Sequence, residues 1–178
     1  VISKKKLDKK NCLSVLENLK KRGPDDVKYN FYNDELLFIG NTVLNITGKL
    51  DKKSRSPIKS QMGRYHIAFN GEIYNYKKLA KKYLNYEPND KVSDTKILVD
   101  LHEKVKSKQI PILLEGMFAY TIFDRVTNEI LIANDVQGEK NLYIYQSKKE
   151  IILSSNVSSI LKFNPNIRFN KVAINNYF

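Results

Sequence analysis

At 178 residues the chain suits one domain with a buried core, and 31 basic against 19 acidic residues leave a net charge of +12. No window approaches the roughly 20 apolar residues of a membrane span. No apolar stretch follows Lys4-Lys5-Lys6 as it would in a signal peptide, and a lone cysteine cannot form an internal disulfide, which fits a cytoplasmic location.

Leu13, Leu16 and Leu19, with Val15, give a helical stripe over about residues 9–21 that Gly23-Pro24 ends. Two strand-like runs follow, 29–32 and 36–40, parted by Asp34-Glu35. Residues 65–69 read as a strand, Asn70-Gly71 as a tight turn after it, and 76–83 as a short helix. Ser93 is a candidate N-cap for a longer helix to about residue 104, with Ile97, Leu98 and Leu101 on one face. Four short apolar runs close the pattern, 118–124, 129–133, 142–146 and 151–154, with turns at 127–128 and 147–149. Residues 173–178 read as the start of another helix. Strands, helices, then strands again predict an α+β layered fold. The lysines are scattered, and there is no RNP-like motif, zinc knuckle, helix-turn-helix, P-loop or metal-ligand cluster. They read as solvated surface, and nucleic acid is not an expected partner.

Six motifs stand in order along this framework. They are Arg22-Gly23-Pro24-Asp25-Asp26, Gly40-Asn41-Thr42-Val43-Leu44-Asn45-Ile46, Asn70-Gly71-Glu72-Ile73-Tyr74-Asn75, Ser93-Asp94-Thr95, Leu114 to Tyr120, and Asp135 to Tyr143. In this order they resemble the N-terminal class II glutamine amidotransferase domain of the asparagine synthetase family. The resemblance implies the four-layer αββα sandwich of the N-terminal-nucleophile hydrolases, two mainly antiparallel sheets between helices. It also implies a domain over 1–163, with 164–178 as a linker into an ATP-using synthetase domain. ATP and magnesium are expected there; no cofactor or metal is expected in this segment. The synthetase domain, in cis or in trans, is the implied partner, and a homodimer stays open.

In that family the thiol of an N-terminal cysteine attacks glutamine, with its own α-amine as base, because a free amine titrates near neutrality within reach of the thiol. Residue one here is Val1, and Val1-Ile2-Ser3 resembles the stretch a few residues after the family's Cys-Gly-Ile start. The nucleophile's place therefore lies upstream of Val1. Cys12, inside the first helix, reads as a small helix-face residue and not as a substitute. The resemblance makes Asn70 and the Gly71 N–H an oxyanion hole, and gives Glu72 and Asp94 the substrate's α-ammonium. An arginine usually holds the α-carboxylate through two parallel charged bonds. Val43 stands at that position, and losing such a bond costs about 1.5–3 kcal/mol, at least tenfold in binding. Lys96, Asn134, Asn141 and Asn156 also depart from the family pattern.

These departures predict a degenerate glutaminase site, holding glutamine weakly or nothing, in a domain that keeps its fold, as in β-lactam synthetase. The alternative is an active glutaminase domain of a glutamine-hydrolysing asparagine synthetase whose N-terminal cysteine is missing from this chain. A binding module for an acidic partner is the remaining reading.

Overall fold

Asp8 starts the first helix. Its carboxylate accepts from Lys10 N at 3.0 Å, and α1 (Lys9–Leu19) then lays Cys12 and Leu16 against Phe38. A computed structural model of the chain describes residues 1–43, 57–89, 92–168, 170 and 172. The residues 173–178 read above as a helix start, and Leu44, Asn45 and Ile46, lie outside the described residues.

The described strands form two sheets, and every strand pair within them is antiparallel. The first sheet contains β1 (Ile2–Ser3), β2 (Asp26–Tyr32), β3 (Leu37–Val43), β8 (Tyr143–Gln146) and β9 (Glu150–Ser154), in the order β2-β3-β1-β9-β8. The second contains β4 (Ile58–Lys59), β5 (Tyr65–Ile73), β6 (Gly116–Asp124) and β7 (Ile130–Asn134), in chain order.

Side-chain alternation assigns the faces. On β3, Phe38 points to α1, while Leu37 and Ile39 meet Phe123 of β6 and Ala68 of β5 between the sheets. On β5, Tyr65, Ile67, Phe69 and Ile73 face outward onto α3 (Asp94–Leu101) and α2 (Tyr76–Leu79). With α4 (Ile110–Leu113) beside that core and α5 (Val157–Phe163) next to α1, the layers run helix, sheet, sheet, helix. The α+β layered fold read from the sequence is the observed one.

One local expectation is corrected. Asn70-Gly71 does not turn; β5 runs unbroken to Ile73 and pairs with β6 throughout, Asn70 opposite Ala119 and Gly71 opposite Phe118. Gly71 has φ +142°, and a β-carbon there would overlap the Met117 carbonyl oxygen. The glycine serves a close approach of two strands, not a reversal. The reversal comes later, where Asn75 Nδ2 donates to Leu113 O at 2.9 Å and its Oδ1 accepts from Glu115 N at 3.1 Å. The helix from Tyr76 keeps α-geometry only to Leu79 and widens into a π-turn over Ala80–Leu84.

At the far end of β6, Arg64 forks onto Asp124, with Nε–Oδ1 at 2.9 Å and NH2–Oδ2 at 2.6 Å, while Asp124 Oδ1 also accepts from Val126 N. Arg64 holds the carboxyl at about 2, well below its ordinary value. A depressed carboxyl contributes stability above its unfolded value and loses it as pH falls through the folded one. Asp124→Asn should therefore cost about 1–2 kcal/mol at pH 7, discounted because the Arg64 side chain is 39% exposed, and the difference should fade between about pH 4 and pH 2. Urea unfolding at several pH values checks this; a cost unchanged at pH 2 would contradict it.

Candidate active site

The space between the sheets opens at the end where β3 and β5 finish. Asn41 Nδ2 donates to Phe69 O at 3.2 Å, which fixes β3 against β5 there. Val43, two residues on, lies on the same inter-sheet face of β3, and its backbone oxygen accepts from Asp25 N at 3.0 Å. On β5 the same alternation turns Asn70 and Glu72 toward this opening. Ile73 N, at the end of β5, donates to Asp94 Oδ2 at 2.9 Å. Asn70, Gly71, Glu72 and Asp94 thus come together over one strand end, with Val43 at the matching end of β3.

The ladder determines which donors are free. Phe118 N and O both engage Asp135, so the Gly71–Phe118 pair does not exchange backbone bonds with each other. The Gly71 N–H then points away from β6, to the same edge where Ile73 N meets Asp94. Asn70 is exposed, and its amide carries two donors. Two such donor groups on adjacent residues can stabilise a developing oxyanion.

Asp94 does not cap its helix; Ser93 does, with its hydroxyl accepting from Lys96 N at 3.1 Å. The Asp94 carboxylate spans Ile73 N and Thr95 N. Burial raises its pKa and the charge of Glu72 adds to this, against the lowering effect of those N–H bonds. A cation placed between Glu72 and Asp94 would offset both the burial and the repulsion. Lys96, a departure noted in the sequence, instead pairs with Asp100 at 2.6 Å.

Beside Asn70 lies a polar cleft of about 400 Å³, and among its lining residues are Arg22, Glu139, Lys140, Asn141 and Asn156. Sequence reasoning did not single out Arg22 or Lys140 for this site. Both lay inside quoted motifs, but only the tertiary fold carries them to Asn70. Asn156 has a structural role as well, capping α5 by accepting from Ser158 N at 2.8 Å. A second, apolar slot of about 90 Å³ lies between β3 and β9, lined in part by Ile39, Gly40, Leu153 and Ser154.

Neither histidine serves this opening. His66 Nδ1 lies 2.7 Å from Tyr32 Oη, and the buried His102 contacts Ser107, its pKa lowered by burial to about 4. Cys12 is fully buried in α1, and burial pushes its thiol up to about 11. Among the described residues no group of His, Cys, Asp and Glu could hold a metal ion, and no helix is long and apolar enough to cross a membrane.

The family model described as glutamine amidotransferase domain matches residues 1–178. The chain belongs to this family. It is 34% identical over 150 residues to the "Probable asparagine synthetase [glutamine-hydrolyzing]" of Acanthamoeba polyphaga mimivirus, covering 83% of this chain and 26% of that protein. It is 31% identical to asparagine synthetase [glutamine-hydrolyzing] 1 of Saccharomyces cerevisiae, over 78% of this chain and 23% of the relative. It is 30% identical to asparagine synthetase [glutamine-hydrolyzing] 2 of Bacillus subtilis, over 78% of this chain and 18% of the relative. The chain therefore spans about a fifth to a quarter of these proteins.

Proposed function

We propose that this amidotransferase domain serves an ATP-dependent amide-forming enzyme of the asparagine synthetase kind, and that its glutaminase site is weakened at the contact with the glutamine α-carboxylate. The observation that carries the reading is the convergence of Asn70, Glu72 and Asp94 at the end of β5, opposite an uncharged Val43 on β3. In this reading Asn70 and the Gly71 N–H receive the oxyanion formed when the side-chain amide is attacked. Glu72 and Asp94 accept the α-ammonium. Val43 offers the carboxylate nothing, so affinity falls while the chemistry stays possible.

In this reading the nucleophile would be carried by residues placed ahead of Val1. Ile2 pairs with Leu37 and Ile151, and Val1 exchanges backbone bonds with Phe38 at 2.8 Å each way. Continued backward in that register, a strand enters the apolar slot between β3 and β9. Its first, third and fifth residues before Val1 fall opposite Ile39, Asn41 and Val43, on the inter-sheet face; the second and fourth face α1. A cysteine five residues before Val1 thus falls opposite Val43, on the inter-sheet face that also carries Asn70. In this reading ATP and magnesium act in a synthetase domain, and that domain sets the acceptor substrate.

The test uses the chain extended by five residues beginning with cysteine, and a glutamine analogue carrying a diazoketone. One adduct per chain on the new cysteine, with Cys12 unlabelled, is the expected result by mass spectrometry. Labelling of Cys12, or no labelling at all, would contradict the reading.

A further inference from the structure

Two cations line the polar cleft next to Asn70, and neither lies on β3. Arg22 follows α1 and is held by a bond from its NH1 to Ser155 O at 2.9 Å. Lys140 sits on the loop between β7 and β8, half-buried, and no ion pair of its ammonium is found among the described residues. The loop is built around a buried acid. Asp135 Oδ1 accepts from Glu139 N at 2.9 Å, and its Oδ2 accepts from Lys140 N at 3.2 Å and from Phe118 N at 3.1 Å. Burial alone would raise this carboxyl, but the N–H groups of Glu139, Lys140, Phe118 and Gly138 hold it below the ordinary carboxylate value, so it stays charged. Phe118 is also the residue paired with Gly71. One carboxylate therefore ties Lys140 to the strand pair that carries Asn70 and Gly71.

Resting on the reading of Asn70 as part of the substrate site, we infer that Lys140 holds the carboxylate of a small amino-acid ligand in this cleft, with Asp135 as its positioning residue. The cation that Val43 does not provide on β3 comes instead from the β7–β8 loop. A lysine gives a point charge rather than a two-pronged fork, so the contact is weaker and less directional than an arginine's. Glu139, at the cleft wall, adds an opposing charge that disfavours simple anions and favours a zwitterion. The ligand class is thus an α-amino acid with a short uncharged polar side chain that reaches Asn70.

The test compares binding of L-glutamine and L-glutaminamide, in which the carboxylate is replaced by an amide, by titration followed with NMR. The unmodified chain should prefer glutamine by about tenfold. Lys140→Met should remove that preference, Lys140→Arg should keep it, and adding Val43→Arg to Lys140→Met should restore it from the other sheet. Asp135→Asn should weaken the preference in a protein whose amide spectrum shows it still folded; if that variant unfolds, the Lys140 series decides alone. A preference unchanged in Lys140→Met, or no preference in the unmodified chain, would overturn the inference. The glutaminase reading fails separately. A cysteine-extended chain that turns over glutamine with a KM indifferent to Lys140→Met refutes only the role of Lys140. A Lys140-dependent preference without labelling by the diazoketone refutes only the glutaminase reading.

Discussion

Gly71→Ala is expected to unfold the domain at ambient temperature. A β-carbon at this position meets Met117 and Phe118, with the Phe118 Cα at 2.7 Å and the Met117 carbonyl carbon at 2.9 Å, all of it backbone. The partner strand cannot give way. β6 is paired on both sides, to β5 and to β7, and its outward face carries Phe118, Tyr120 and Ile122 in the main core. Residue 71 also has φ +142°, a region that L-residues with a side chain rarely adopt. Clash and strain together should cost about 4 kcal/mol or more, a large part of the roughly 5–15 kcal/mol that holds an ordinary domain folded. Gly63→Ala is the control. Its φ of +75° also strains a side chain, but nothing lies within 4 Å, so it should cost only about 1 kcal/mol. Thermal unfolding followed by circular dichroism separates the two; near-equal midpoints would show that the strand contact at Gly71 is not tight.

The second large effect concerns where a nucleophile is placed. A five-residue extension that starts with cysteine should give a chain that releases ammonia from glutamine, and a four-residue extension that starts with cysteine should release at least a hundredfold less. Both supply a thiol and a free α-amine, so chemistry alone does not distinguish them. The strand does. The register of Ile2 with Leu37 turns the fifth residue before Val1 into the inter-sheet opening and the fourth toward α1 and Thr42. Equal rates from both extensions would mean that the added segment does not continue β1 in register with β3.

Much of the fold was legible because its cues are local. The leucine stripe over residues 9–21, Gly23-Pro24 after it, and Ser93 before an apolar helical face are each read within a dozen residues, and α1 and α3 form there. The Asn-Gly pair misled because the same dipeptide suits a turn or a close approach of strands, and the deciding neighbour, Met117, lies far along the chain. For the candidate site, motif order drew attention to Asn70, Gly71, Glu72 and Asp94, and the fold brings them to one strand end. Arg22 and Lys140 escaped notice for the opposite reason. Their position depends on Ser155 and Asp135, contacts set by the packing of whole elements and carrying no periodic signal. The short β1, two residues long, was invisible to alternation, although its pairing to both β3 and β9 sets the line that residues added ahead of Val1 would follow.

The proposed glutamine site keeps the groups its chemistry needs but grips the α-carboxylate weakly. Ammonia release from glutamine tests it in three proteins: the 178-residue chain beginning at Val1, the same chain with the five-residue cysteine extension, and the extended chain carrying Val43→Arg. The first should release none. The second should release ammonia with a high KM, and the third should lower that KM tenfold or more with kcat changed far less, because the added fork binds ground state and transition state alike. Release by the chain beginning at Val1, or identical KM values with and without Val43→Arg, would contradict it.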